Sequence, residues 1–275
     1  MTRLYNRHKA VIYFILIAFA AGMLMPFIWM ISTSLKSADE TFRFPPSFVP
    51  NPPIWQNYID TIKLAPFHLF YLNSIIVTSC VTLGQLLTCA MGAYAFARLN
   101  FKGRDKLFLL YLATIMIPFQ ATMIPVFIII KNLGWIDSHL GLIIPNLFSA
   151  YGTFLLRQFF KSLPRELEES VRIDGGGYFV CFTRIILPLS KPALATFATF
   201  VFIWCWNYFL WPLLVLNTLN KFTLPLGISF FQGQNRIQWN YMMCAATITL
   251  APLTVVYLFT QKYFIEGITL SGIKG

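Results

Sequence analysis

The chain has 275 residues, of which 57% are hydrophobic and 11% are charged, and its formal net charge is +11. Charged residues make up about a quarter of an ordinary soluble domain, so this composition excludes such a protein. The basic residues form no groove-like run with interleaved aromatic residues, which excludes nucleic acid as a partner.

Six long runs without a charged residue predict membrane-spanning helices. They cover residues 10–35, 64–97, 107–130, 138–156, 192–220 and 237–261. A bilayer core of about 30 Å needs roughly 20 apolar residues of helix, and each run is near or above that length. We therefore predict an all-α polytopic membrane protein with a single transmembrane domain. Its spans are expected at about 10–32, 72–97, 107–130, 140–157, 193–216 and 241–262.

The distribution of Lys and Arg predicts the orientation. Six spans place both termini on one side of the membrane, and that side carries 15 of the 21 Lys and Arg residues. The side rich in Lys and Arg is normally cytoplasmic. Both termini and the loop over residues 161–191 are therefore expected in the cytoplasm, with the lipid membrane as the surroundings of the spans.

The first run could also belong to a cleaved signal peptide, since Arg3, Arg7 and Lys9 precede it and Ala18–Ala20 offers a cleavage-like pattern. Its apolar part continues to Ile31, longer than the apolar region of a signal peptide. An uncleaved first span is the favoured interpretation. The proline-rich segment 44–59 that follows cannot form a regular span.

The third run contains two prolines, Pro118 and Pro125, with Gln120 between them. Prolines kink a membrane helix, and the freed carbonyl groups need a neighbouring helix or a wet cavity. The kink either serves packing alone or lines a path for a solute, and Gln120 is a candidate residue in such a path.

The fifth run places a polar amide, Asn207, between Trp206 and Tyr208. Aromatic residues near the end of a span commonly form an interfacial belt. An amide flanked by aromatic rings also suits a sugar, because hydroxyl groups bond to the amide and ring faces stack on the apolar sugar faces. Both interpretations remain open, and the three residues are candidates for a substrate path.

Motifs for catalysis, metal binding and nucleotide binding are missing from the sequence. No Gly-x-Ser-x-Gly, His-Glu-x-x-His or phosphate-binding Lys-Ser/Thr loop occurs, and the five cysteines have no ligand spacing. We expect no catalytic residue, no metal site and no cofactor bound by this chain. No charged residue lies deep in a span, which disfavours an ion-coupled carrier.

The loop over residues 161–191 contains an acidic cluster unusual for this chain, since Glu166, Glu168, Glu169 and Asp174 lie within nine positions. A short helix is expected after Pro164, with acidic residues in its first turn, where they complement the helix dipole. Glu169 and Arg172 can pair on one face, and Leu167, Val171 and Ile173 offer a partial apolar stripe. Glycines that allow a positive φ, Gly175 among them, end this helix, and a second amphipathic helix follows over residues 178–187. The unit is either a docking surface or a plain connector.

Two stretches of this loop resemble a known family. "ESVRIDGGG" at residues 169–177 and "RIILPLSKP" at residues 184–192 resemble the EAA loop of binding-protein-dependent ABC importer permeases. The similarity extends along the six-span chain and is to the shorter subunit of carbohydrate importers of the maltose and glycerol-3-phosphate kind. The matching positions in the loop include Glu169, Asp174, Gly175 and Pro188. Ser170 and Val171 stand where the family pattern has two alanines.

The resemblance implies a type I ABC importer permease fold in a bacterial cytoplasmic (inner) membrane. Its partners would be a second permease subunit in a heterodimer, two ATPase subunits that hold ATP and Mg²⁺, and an external solute-binding protein. The loop helix would sit in a cleft of the ATPase, with Glu169 facing a basic residue. Residues Lys274 and Gly275 of the carboxyl tail would also reach the ATPase dimer.

The predicted function is thus the non-catalytic translocation subunit of an ATP-driven importer for a sugar or sugar-like solute. The alternative is a self-contained secondary carrier or channel driven by an ion gradient. An intramembrane enzyme is disfavoured because no catalytic set is present. No feature of the sequence ranks one solute above another.

Overall fold

The computed structural model describes the backbone of residues 2–232 and 238–272, and the side chains of residue 9 and of residues 11–232 and 238–261. The described chain consists of helices and loops without a strand, which confirms the predicted all-α class. The principal helices are α1 (Thr2–Ser34), α2 (Gln56–Leu64), α3 (Phe67–Arg98), α4 (Arg104–Ala113), α5 (Phe119–Asn132), α6 (Ala150–Ser162), α7 (Glu166–Ile173), α8 (Tyr178–Leu189), α9 (Lys191–Trp206) and α10 (Trp239–Gly272).

Short helical turns occupy several of the connections. They comprise Ala38–Thr41, Thr114–Met116, Leu140–Ile143, Ile144–Asn146, Leu210–Val215, Leu219–Lys221, Leu224–Ile228 and Ser229–Gln232. Inside α8, residues Cys181–Ile186 form a π-helical stretch. Such stretches are rare in helices and occur frequently at functional sites.

Three helices are long and apolar enough to cross a membrane, namely Val11–Ser34, Phe67–Arg98 and Trp239–Gln261. Three bent pairs pass the same test. They are Arg104–Met116 with Phe119–Asn132, Leu140–Asn146 with Ala150–Ser162, and Tyr178–Leu189 with Lys191–Trp206, bent by 96°, 42° and 77°. If each pair forms one span, the described residues contain up to six spans, the number that the sequence predicts.

Three of the predicted spans are interrupted in the structure, and one of them, 140–157, breaks between Asn146 and Ala150. The run 107–130 breaks at Ile117, whose extended backbone is the conformation that a following proline favours, and α5 begins after Pro118. The second proline, Pro125, lies inside α5 without ending it. The run 193–216 also differs from one continuous helix, because α9 ends at Trp206 and a separate turn begins at Leu210.

The chain divides into two compact units, residues 1–67 with 227–251 and residues 68–226 with 252–275. In the first unit, the amide of Asn57 donates to the carbonyl oxygens of Ser34 and Lys36 at 2.8 and 2.9 Å. These carbonyls lie at the end of α1, where a helix leaves acceptors without partners. Asn57 therefore fixes the segment that follows α1.

In the second unit, the core is built from large buried side chains, including Phe160, Phe197 and Trp211. The loop residue Asp137 accepts hydrogen bonds from the backbone N–H groups of Asn217 and Thr218 at 2.9 and 3.0 Å, and from Lys221 Nζ at 2.9 Å. Partial burial by itself raises the pKa of Asp137, but these hydrogen bonds, with one from the Thr218 hydroxyl, hold it well below its ordinary value. Asp137 thus stays charged, and it joins its own loop to the segment that contains Asn217, Thr218 and Lys221.

Candidate functional site

The acidic cluster of loop 161–191 folds into a short helix that ends in a tight turn. Helix α7 has its three acidic residues in the first turn, the end of a helix that favours negative charge. At its other end, the N–H of Gly175 donates to Arg172 O at 3.0 Å and that of Gly176 to Val171 O at 2.8 Å. These two bonds form a Schellman motif, and Gly175 has the positive φ that it requires, 81°, as predicted. The space around Gly175 is open, so the backbone angle favours glycine there.

The inner face of α7 carries a buried ion pair. Glu168 is 6% exposed, and its Oε1 lies 3.1 Å from Nε of Arg98, which is 7% exposed at the end of α3. The N–H of Arg98 is not directed at that oxygen, so the attraction is mainly between the charges. Val171, one turn further along α7, packs against the core. The charged pair and Val171 together fix the orientation of α7.

Two buried arginines join the ends of α3 and α6. From α3, Arg98 Nη2 donates to the carbonyl oxygens of Phe160 and Leu163, the latter at 2.7 Å, at the end of α6. From α6, Arg157 Nε donates to Phe96 O near the end of α3 at 3.1 Å. Each arginine therefore donates to carbonyl oxygens near the C-terminal end of the other helix, where a positive charge complements the helix dipole.

The same arginines reach the neighbouring helices. Arg157 Nη2 lies 3.4 Å from Asp105 Oδ1 at the start of α4, and the Arg157 guanidinium lies 3.9 Å from the ring centre of Phe108. Glu168 connects Arg98 to α7 in the same way. The four side chains Glu168, Arg98, Arg157 and Asp105, here called the arginine network, thus link α7 to α3, α6 and α4.

The outer face of α7 is exposed. Ile173 is 85% exposed, and the side chain of Glu169 has no hydrogen bond or ion pair within the described chain. The predicted pair of Glu169 with Arg172 is wrong, because Arg172 instead lies over the ring of Tyr178 at 4.7 Å. The predicted apolar stripe is wrong in part, since Leu167 and Ile173 face outward and only Val171 packs inward.

The remaining predicted loop residues lie at the surface. Ser170 and Asp174 are exposed on α7 and at its end, and Pro188 is exposed in the last turn of α8. The Tyr94 hydroxyl of α3 donates to Tyr178 O at 3.1 Å, which anchors the start of α8. The loop is therefore an ordered unit with one fixed face and one exposed face.

The candidate substrate-path residues from the sequence do not converge. Asn207 ends α9 and donates to Ile203 O at 2.7 Å. Trp206 is 1% exposed and stacks on Phe202, because the end of α9 turns it into the core. Tyr208 is half-buried, and Gln120 is exposed in the first turn of α5.

The tail residues Lys274 and Gly275 lie outside the described residues. In the part of the chain whose side chains are described, no group of three or more His, Cys, Asp or Glu residues could hold a metal ion. All five cysteines are free, and four of them are buried.

A cavity of about 490 Å³ lies beside the break between Asn146 and Ala150. Its polar lining consists of Gln85, Asn146 and Ser149. Its other lining residues are Phe148, Tyr151, Phe197, Phe200, Val201 and Trp204. These residues are not among the path residues predicted from the sequence, although polar side chains inside charge-free runs are a signal that could have found them.

The break itself is held by three side chains of α3. Gln85 Nε2 donates to Asn146 O at 2.8 Å, Thr88 Oγ1 to Leu147 O at 2.6 Å, and Cys89 Sγ to Ser149 O at 3.3 Å. Gly84 allows the close approach, because a Cβ there would lie 2.3 Å from Leu147 Cδ2. The carbonyl groups of Asn146 and Leu147 at the break are thus satisfied, as a membrane interior requires.

Comparison with known proteins shows which family has this architecture. The family model described as "Binding-protein-dependent transport system inner membrane component" matches residues 84–269. The sn-glycerol-3-phosphate transport system permease protein UgpE of Yersinia pestis bv. Antiqua (strain Antiqua) is 37% identical over 251 residues, 88% of this chain and 89% of the relative. UgpE of Salmonella typhimurium (strain LT2) is 39% identical over 217 residues, 78% of this chain and 77% of the relative.

Two solved structures are also similar. A bacterial ABC transporter involved in the import of the acidic polysaccharide alginate matches with a TM-score of 0.82 and 25% identity, over 95% of this chain and 97% of that chain. The alginate ABC transporter in complex with its pentasaccharide-bound periplasmic protein matches with a TM-score of 0.69 over 92% and 93%. At 14% identity, this second match shows the fold alone. The two matches agree with the type I permease fold that the sequence predicts.

The predicted family is thus confirmed by a sequence model that covers more than half of the chain and by relatives that align along most of it. The apolar helices agree with a polytopic protein of the inner membrane. This chain belongs to the family of inner membrane components of binding-protein-dependent transport systems, and it is a permease subunit of an ABC importer.

Proposed function

We propose that this permease is moved by separate ATPase subunits that bind the outer face of α7. The single observation that carries the proposal is the contrast between the two faces of that helix. Glu168 is buried against Arg98, whereas Glu169, the next residue, is exposed and has no partner within the described chain.

The exposed face has the composition of a docking surface. It offers the carboxylate of Glu169 beside the apolar side chain of Ile173, and Phe179 at the start of α8 is 77% exposed. An exposed apolar patch with a charged residue suits a protein partner that supplies a basic group. Gly175 sets the angle between α7 and the chain that follows.

The arginine network would carry the motion. A displacement of α7 acts on Arg98 through Glu168, and Arg98 holds the end of α6 through two carbonyl oxygens. Arg157 connects α6 back to α3 and to Asp105 of α4. Because α4 leads into the span bent by 96°, rigid movement of this end can change the packing of that span.

We further propose an orientation of the chain in the membrane and an assembly with partner subunits. The Lys and Arg distribution favours a cytoplasmic position for both termini and loop 161–191, where ATPase subunits would dock. The whole chain would form one permease domain of six spans, with each bent pair counted as one span. It would pair with a second permease subunit and receive its solute from an external binding protein. ATP and Mg²⁺ would bind the two ATPase subunits, and the tail with Lys274 and Gly275 would approach them.

The solute is proposed to be a sugar or a sugar-like molecule. The relatives' names refer to glycerol-3-phosphate transport, and the similar transporter of known structure takes part in alginate import. Both solutes carry at least two hydroxyl groups. The chemistry of the cavity, with an amide, a hydroxyl and aromatic rings, suits the hydroxyl groups of such a molecule.

The test is uptake by proteoliposomes. The co-expressed complex should take up solute only when ATP is present on the side that corresponds to the cytoplasm and loaded binding protein on the other side. The same vesicles without ATP serve as the control. Uptake by the purified chain alone, driven by an ion gradient, would contradict the proposal and support a secondary carrier.

A further inference from the structure

We infer that the cavity beside the break at residues 147–149 is a binding subsite for a neutral solute rich in hydroxyl groups, contributed by this chain itself. The inference rests on the proposed function and adds to it the place and the chemistry of one solute contact. It assigns that contact to Gln85, Ser149, Tyr151 and Trp204, which differ from the path residues that the sequence predicts.

Specific hydrogen bonds hold the break in place. Irregular backbone at membrane depth occurs where it is buried in protein or lines a cavity, because hydrocarbon cannot satisfy its polar groups. Gln85, Thr88 and Cys89 lie on one face of α3, at the spacing of neighbours on a helix, and each donates to one backbone carbonyl oxygen at the break. A helix interruption held by three separate bonds indicates that the interruption has a use.

The polar side chains that line the cavity can form further hydrogen bonds. Gln85 is 6% exposed, and one of its amide hydrogens is bonded to Asn146 O. Ser149 Oγ accepts from the N–H of Gly152 at 3.0 Å, which leaves its own hydroxyl hydrogen able to donate. An amide and a hydroxyl group with remaining donors and acceptors can exchange hydrogen bonds with the hydroxyl groups of a solute.

Aromatic side chains form one side of the cavity. Tyr151 is 53% exposed and Trp204 is 45% exposed, and both border the cavity. The ring of Trp204 lies 4.6 Å from that of Tyr208, so a neighbour supports it in this position. Flat aromatic faces stack on the apolar faces of sugar rings. The volume of about 490 Å³ is in the range of pockets that enclose a small-molecule ligand.

The charge of the lining residues limits which solute the cavity can bind. No Asp, Glu, Lys, Arg or His belongs to the cavity lining that is described. An anionic group in this mostly apolar site would lose water without gaining a cationic partner. The site therefore favours a neutral sugar or polyol over a phosphorylated or acidic solute.

The experiment uses the complete complex in lipid nanodiscs without the binding protein. The probes are radiolabelled maltose and sorbitol, which are neutral, and sn-glycerol 3-phosphate and an alginate oligosaccharide, which are acidic. A neutral probe should bind, and Tyr151→Leu and Trp204→Leu should each weaken its Kd by roughly tenfold, about 1.4 kcal/mol. Tyr13→Leu is the matched control, since Tyr13 is a 62% exposed aromatic residue on α1, and its Kd should equal that of the unsubstituted complex.

Three results would overturn the inference while ATP-driven uptake by the unsubstituted complex remains intact. They are unchanged binding in both variants, tighter binding of an acidic probe than of either neutral one, and binding by neither neutral probe. Loss of the second permease subunit from the variants on purification would assign the cavity to the subunit interface and overturn it as well. Absence of ATP-driven uptake by the unsubstituted complex would instead contradict the proposed function, and this inference with it.

Discussion

Glu169→Lys is expected to reduce ATP-driven uptake by roughly tenfold or more while the complex still assembles in the membrane. Glu169 is exposed and its side chain has no bond within the described chain, so the fold of the permease does not depend on it. The reversed charge would face the basic group that we propose on the ATPase. The measurement is the rate of ATP-driven solute uptake by proteoliposomes.

The control for this prediction is Glu166→Lys. Glu166 is also exposed in the first turn of α7, so both variants lose one favourable interaction with the helix dipole. Uptake by the Glu166 variant should stay close to that of the unsubstituted complex. If the two variants transport equally well, Glu169 has no special role in docking.

Arg98→Met is expected to destabilise the permease strongly. It leaves the Glu168 carboxylate buried without its charged partner and removes the donor to the carbonyl groups of Phe160 and Leu163. Removing one partner of a buried ion pair costs about 3–5 kcal/mol. Thermal unfolding of the purified complex, followed by the loss of its monodisperse peak in size-exclusion chromatography, measures the effect.

Arg104→Met is the matched control, because Arg104 pairs with the exposed carboxylate of Asp105 at 3.2 Å. Exposed ion pairs contribute about 0–1 kcal/mol. The double variant Arg98→Met with Glu168→Met should recover part of the stability that Arg98→Met loses, since it buries no lone charge. Equal stability of the Arg98 and Arg104 variants would show that the arginine network does not hold the helix ends.

The fold class could be predicted from the sequence because a membrane leaves few choices. Backbone groups in hydrocarbon must bond within their own segment, so a long charge-free run becomes a helix. The break at Pro118 also has a local signal, although its angle of 96° exceeds a simple kink. The break at residues 147–149 follows Pro145, but its geometry also depends on side chains of α3 about 60 residues away, which no local signal reveals.

The loop was predictable where local geometry decides and not where distant contacts decide. The positive φ of Gly175 follows from the way helices end. Glu166, Glu168 and Glu169 look alike in the sequence, and only Arg98, at the end of another helix, distinguishes Glu168. Trp206 was a candidate for contact with the solute, but the end of α9 at that residue places it in the core. That Glu169 lies in a cleft of an ATPase stays a prediction.

The most direct test of the docking surface is photo-crosslinking from Ile173. This side chain is 85% exposed on the outer face of α7, so a photoreactive amino acid can replace it without entering the core. In the assembled importer, irradiation should produce a covalent adduct between the permease and an ATPase subunit. An adduct formed only with lipid, or only within the permease, would contradict the proposal that α7 transmits the motion of the ATPase.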